Sequence, residues 1–146
     1  RAFPAGDSVV VNPGVPLATA RVFAALRSGL APAAAAMPVL PELPDLPALL
    51  AHMRAHGNDL ERAAIGLCPE VAEVKDLLTA QADCCMAAMS GSGPTCFGIF
   101  SGEATAQRAA AAVAVARPGW WVACTTLGEA PRDPFDRSHQ ETKAAP

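Results

Sequence analysis

Tyrosine is absent from this 146-residue chain, and five phenylalanines and two tryptophans leave it only 5% aromatic. Its core must therefore be assembled from small aliphatic side chains, with alanine supplying much of the 51% apolar content, and such a core works only if closely packed. Positive charge is also scarce. Eleven Lys and Arg against 14 Asp and Glu give a net charge of −3, with no basic stripe, which argues against nucleic acid as a main partner. No run approaches the roughly 18 consecutive apolar residues that a membrane-spanning helix needs. The alanines from Ala33 to Ala36 are cut off by Pro32 and Pro38. The five cysteines (Cys68, Cys84, Cys85, Cys96 and Cys124) contain no Cys-x-x-Cys pair and are odd in number, which suits neither a disulfide framework nor a zinc site. Four of them lie in apolar segments, so reduced, buried thiols in a cytoplasmic protein are expected.

What is present reads as one domain over residues 1–128, followed by a polar, aperiodic tail at 129–146 expected to be disordered. Ser8-Val9-Val10-Val11 predicts a strand that stops at Asn12-Pro13-Gly14. A helix is predicted over Ala18 to Arg27, with Thr19, Val22, Phe23 and Leu26 on one face and Gly29 as its stop. The residue types alone make Thr19 a cap or a first-turn hydroxyl. Prolines 32, 38, 41, 44 and 47 exclude helix and central strand from the linker at 31–47. A short helix follows from Ala48 to His56, where His52 and His56 share a face, but no third metal ligand stands at a suitable spacing. Asn58 with Glu61 three residues on predicts a capping box. Pro69 opens the next helix, with Val71, Val74, Leu77 and Leu78 inward and Glu70, Glu73 and Asp76 in solvent. An alanine-rich helix is predicted from Glu103 to Arg117, then a strand from Trp120 to Leu127 whose paired tryptophans must point to opposite faces.

Between these helices lie two apolar, β-prone runs, Cys84 to Met89 and Thr95 to Phe100, joined by Ser90-Gly91-Ser92-Gly93-Pro94. The pattern predicts an antiparallel hairpin with a glycine-rich connection. Gly91 and Gly93 permit positive φ and leave room for a ligand, and successive amides in such a loop can hold a phosphate; a plain flexible turn is the alternative. The element order is βαββαβ with extra helices in the first half. That is an α+β, ferredoxin-like split βαβ fold: a four-stranded antiparallel sheet with helices on one face.

Two segments together resemble a known family. Val11-Asn12-Pro13-Gly14-Val15-Pro16-Leu17-Ala18-Thr19-Ala20-Arg21-Val22-Phe23 and Met89-Ser90-Gly91-Ser92-Gly93-Pro94-Thr95-Cys96-Phe97 are similar to the C-terminal half of the kinases acting on 4-diphosphocytidyl-2-C-methyl-D-erythritol, members of the GHMP superfamily. Asn58-Asp59-Leu60-Glu61, Pro69-Glu70-Val71 and Pro118-Gly119-Trp120 extend the likeness over nearly all of residues 8–128. The resemblance implies an ATP-dependent kinase of the non-mevalonate isoprenoid pathway that phosphorylates the 2-hydroxyl of the methylerythritol moiety. It implies that Thr19 and Phe23 bind the substrate, Phe23 by stacking on cytosine, and that Ser90, Gly91, Ser92, Gly93 and Thr95 form the third glycine-rich motif near the phosphates. Pro94 departs from the usual alanine and removes one amide donor. The family's phosphate loop, catalytic Asp and Lys are absent from this chain, so no catalytic or metal-binding residue is assigned to it. ATP and Mg2+ are expected to be held mainly by a missing N-terminal domain, without which this chain is expected to be inactive. A stand-alone ferredoxin-like ligand-binding or regulatory domain, and another GHMP small-molecule kinase, are the alternatives.

Overall fold

The computed structural model describes residues 4–28 and 39–128. Its elements run β1 (Gly6–Asn12), α1 (Thr19–Arg27), α2 (Leu46–His56), α3 (Glu61–Leu67), α4 (Glu70–Thr79), β2 (Cys84–Met89), β3 (Cys96–Phe100), α5 (Glu103–Ala116) and β4 (Trp121–Leu127). The four strands form one antiparallel sheet in the order β2-β3-β1-β4. Each sequential pair β1/β2 and β3/β4 is thus split by a strand of the other unit, the arrangement the βαββαβ order requires. The expected Gly29 stop, residues 31–38 of the linker and the 129–146 tail lie outside the described residues.

Alternation along the strands sorts the side chains into two layers. Val9 and Val11 of β1 and Cys96 and Phe100 of β3 face α4 and α5, closing with Val71, Val74, Leu78, Ala106, Ala109 and Val113 into one buried cluster. Alanines at 106 and 109 let α5 approach the sheet closely. Gly98 does the same for α4, because a Cβ there would stand 3.3 Å from Leu78 Cδ2 and 3.0 Å from Phe100 Cε2. The tryptophans divide as expected: Trp120 packs against the core, whereas Trp121 is 59% exposed.

Helices are not confined to one face. Leu46 of α2 approaches Gly6 and Ile99 on the side opposite Leu78, so α2 covers part of the second face. It also begins at Leu46, two residues before the expected Ala48, because Asp45 caps it by accepting a 2.9 Å hydrogen bond from Ala48 N. Pro47 therefore sits in the first turn, where a missing N–H costs nothing. His52 and His56 stack with centroids 4.1 Å apart. No group of three or more metal-binding side chains occurs among the described residues, and none of their helices is long and apolar enough to cross a membrane. Glu73 does not stand alone in solvent, since Arg117 bonds it through Nε at 2.7 Å.

All five cysteines are free, but only Cys68 and Cys96 are buried, and Cys124 is exposed on the edge strand β4. Burial pushes the Cys96 thiol up to about 12 from an ordinary value near 9. The native state therefore keeps its proton between those values while the unfolded chain loses it. Stability should fall as pH rises from about 9 towards 12, by up to about 1.4 kcal/mol per pH unit, and Cys96→Ala should flatten that slope in urea titrations. Leu78→Ala, at a site with no solvent exposure, should cost about 2–5 kcal/mol in the same measurement.

Candidate functional site

One end of the sheet gathers the β1–α1 turn, the start of α1, the α2–α3 connection and the β2–β3 loop. The loop takes the conformation its glycines allow, with φ of 54° at Gly91 and 74° at Gly93, and a cis bond joins Gly93 to Pro94. Ser90 N donates to Thr95 O at 2.9 Å and Gly93 N to Ser90 O at 3.0 Å. Two of the loop's amides are therefore used internally, and Pro94 has none. Among the described residues, the successive Gly91 and Ser92 amides have no protein acceptor and can serve as donors to an anion.

Three side chains tie this loop to the rest of the domain. Thr19 Oγ1 and Ser92 Oγ lie 2.9 Å apart, joining residues 73 positions apart in sequence. Thr19 is the first residue of α1 rather than its cap, which is Ala18 and has no capping side chain. Its hydroxyl is thereby released for the loop. Asn12 Nδ2 donates to Thr95 Oγ1 at 3.0 Å, while its Oδ1 accepts from Gly14 N at 2.8 Å and fixes the turn after β1.

Asn58 supplies the third tie. The expected capping box does not form: α3 starts at Glu61 with Leu60 in the cap position, and Glu61 pairs with Lys75 instead. Asn58 Nδ2 donates to the carbonyls of Met89, at 3.1 Å, and Gly91, at 2.8 Å, while its Oδ1 accepts from Leu60 N at 3.0 Å. One carboxamide thus holds both the end of β2 and the first glycine. The two ends of the group serve different needs: its N–H bonds supply donors to carbonyls at a sheet end, and its oxygen supplies an acceptor to the turn that leads into α3.

Phe23 projects from α1 with 40% of its surface exposed, although its neighbour Val22 is fully buried. It lines an open cavity of about 740 Å³ together with Leu26, His56, Met89, Ser90 and Phe97. The cavity has two aromatic side chains in its wall and loop backbone at its edge, a combination suited to a flat ring carrying a polar or anionic extension. Asp59 is its one carboxylate among the described residues. The structure brings Phe23, Ser90 and Gly91 to this cavity, and Thr19, Ser92 and Thr95 to the hydrogen bonds that shape the loop. Gly93 is a backbone position, where an added Cβ would meet Met89 Sδ at 2.7 Å. Asn12, Asn58 and Phe97 join the site without being candidates from their residue types and spacing alone. The strand alternation around Phe97 marks it as facing away from the Cys96 layer, but a partner for Asn58 thirty-one residues on leaves no local trace.

Two substitutions test the loop's supports. Asn58→Ala should destabilise by about 1–3 kcal/mol and speed amide exchange at Gly91 and Ser92. Gly93→Ala should cost about 1–2 kcal/mol, because its left-handed backbone disfavours a Cβ.

Residues 33–116 match the family model described as GHMP kinases C terminal. A 4-diphosphocytidyl-2-C-methyl-D-erythritol kinase of Methylorubrum extorquens is 48% identical over 124 residues, covering 82% of this chain and 42% of that protein. A protein of the same name from Cereibacter sphaeroides is 48% identical over 115 residues, covering 78% and 40%. The crystal structure of a 4-(cytidine 5'-diphospho)-2C-methyl-D-erythritol kinase superposes with a TM-score of 0.65 at 30% identity, covering 89% of this chain and 46% of the other. The chain therefore spans less than half the length of these relatives.

Proposed function

The chain belongs to the GHMP kinase C-terminal family, and on that premise we propose that it is the substrate-side domain of a kinase acting on 4-diphosphocytidyl-2-C-methyl-D-erythritol. In this reading ATP is the phosphoryl donor, the 2-hydroxyl of the methylerythritol is the acceptor, and the reaction belongs to the non-mevalonate isoprenoid pathway. The observation that carries the proposal is the 2.9 Å hydrogen bond between Thr19 and Ser92, which joins the two sequence segments that resemble the family into one locale beside Phe23.

Each group then has a part it can perform. Phe23 offers an apolar face for the cytosine ring, with Phe97 in the same cavity wall. Gly91 and Ser92 present free amides to a phosphate oxygen, and the hydroxyl pair Thr19–Ser92 keeps the loop at a fixed height above α1. ATP with its Mg2+ would supply the transferable phosphoryl group. The fit of this chain to the nucleotide is partial: two loop amides can meet a phosphate, but no cluster of metal-binding side chains lies among the described residues. Positioning the triphosphate and orienting the hydroxyl are what phosphoryl transfer requires, and those tasks fall to an N-terminal domain in this reading.

Joined to an N-terminal kinase domain of this family, the chain should support ATP turnover with 4-diphosphocytidyl-2-C-methyl-D-erythritol. Alone it should support none. Phe23→Ala should raise KM for that substrate by roughly 5- to 150-fold, the equivalent of one lost base–aromatic stack of about 1–3 kcal/mol. Equal turnover of mevalonate or homoserine by the joined protein would sink the substrate assignment. Turnover by the chain alone would sink the half-site reading.

A further inference from the structure

The edge of β2 carries a second cavity, of about 550 Å³, that shares Asn58, Met89 and Phe97 with the first but whose other lining residues have no role above. Its wall includes four consecutive residues, Met86 to Met89, so it runs along the strand's outer rim rather than over one face. Met53 and Arg54 of α2 bound it on one side, and Arg62, Ile65 and Lys75 of α3 and α4 on the other.

Ladder geometry says which backbone groups point into this groove. Ser90 N donates to Thr95 O across the hairpin, and with Met89 opposite Cys96 and Ala87 opposite Gly98 the alternation from there turns the backbone groups of Met89 and Ala87 outward and those of Ala88 towards β3. Asn58 takes the outward carbonyl of Met89, and Arg54 donates to the carbonyl of Cys85, the unpaired residue at the irregularity between Cys84 and Met86. Those two caps prevent a long strand from adding to this edge. Between them the Ala87 backbone is left as a short polar window.

Net charge around the window is positive, although Glu61 is also in the wall. Lys75 is neutralised by Glu61, whereas Arg54 and Arg62 have no carboxylate partner among the described residues. Beside Gly57 and Asn58, most of the remaining lining is apolar and adaptable, with Met53, Ile65, Met86, Met89 and Phe97. The volume falls within the roughly 300–1,000 Å³ of small-molecule sites.

We propose that this groove is a ligand site for a small molecule with an apolar body and a single carboxylate. The carboxylate meets the Ala87 N–H and the two guanidinium groups, and the body lies against the methionines. Asn58 forms a wall of both cavities, with its amide on the glycine loop, so occupancy of the groove is felt at Gly91. The site stands whether or not the kinase reading holds.

Octanoate is the probe, titrated into the nitrogen-labelled chain and followed by NMR, with octanol and acetate as controls. Saturable shifts at Met86, Ala87 and the Asn58 side-chain amide are expected, with octanoate binding at least about tenfold tighter than either control. Arg62→Glu, at an exposed position, should weaken octanoate about tenfold, and Arg108→Glu on α5 should not. Shifts confined to other residues, equal binding of octanol, or an unchanged affinity in Arg62→Glu would each overturn the site. Shifts at Ala87 without any at Asn58 or Gly91 would overturn the coupling to the loop.

Discussion

The carboxamide of Asn58 is the contact on which the candidate site most depends. It donates to two carbonyls, at Met89 and Gly91, that would otherwise lack a protein partner at the end of an edge strand. A glycine-rich loop left to itself is an entropic liability, because positive-φ glycines have many accessible conformations in the unfolded chain and few in the folded one. Clamping its first glycine while Thr19 and Asn12 take hold of Ser92 and Thr95 converts it into a fixed rim. None of these bonds is strong alone, each contributing about 1 kcal/mol. Together they set the positions of the two free amides.

Behind the loop, the sheet supplies the rigidity those bonds need. An aromatic-poor chain reaches tight packing by letting helices come close, through Ala106 and Ala109 on α5 and Gly98 under Leu78. The layer is dry enough to hold Cys96 fully buried and protonated. The other face is treated differently. Only part of it lies under α2, which leaves Phe97 to line the cavity with Phe23 and leaves Trp121 in solvent. The sheet thus has one sealed face and one half-open face, and the candidate site lies at the half-open one.

Much of this was legible in the residues. The hairpin from Cys84 to Phe100 was marked by two β-prone runs and its glycines, and the helix faces of α4 and α5 by period-3.6 spacing of Val71, Val74, Leu78, Ala106, Ala109 and Val113. Local rules failed where a side chain had two suitors. Asn58 and Glu61 have the spacing of a capping box, yet Asn58 keeps only its oxygen for the turn before α3 and gives its N–H bonds to Met89 and Gly91, while Glu61 pairs with Lys75. Thr19 had the chemistry of a cap and the position of a first-turn residue, and Ser92 decided between them. Cys124 looked like a buried thiol because its run is apolar, but an edge strand exposes what a central strand hides.

What the sequence determined by itself was the order of elements, the split βαβ topology, the glycine-loop hairpin and the resemblance to a kinase family. These depend on short-range periodicity, turn chemistry and motif residues, all of which are written locally. Tertiary structure alone decided that α2 crosses to the second face, that Phe97 joins Phe23 in one cavity and that three distant polar side chains hold the loop. It also created the groove on β2, whose backbone window exists only because Asn58 and Arg54 cap the strand on either side of Ala87. The glycine loop is written in the sequence. Its geometry is set by partners tens of residues away, because a hydrogen bond is satisfied by proximity in space, whatever the separation along the chain.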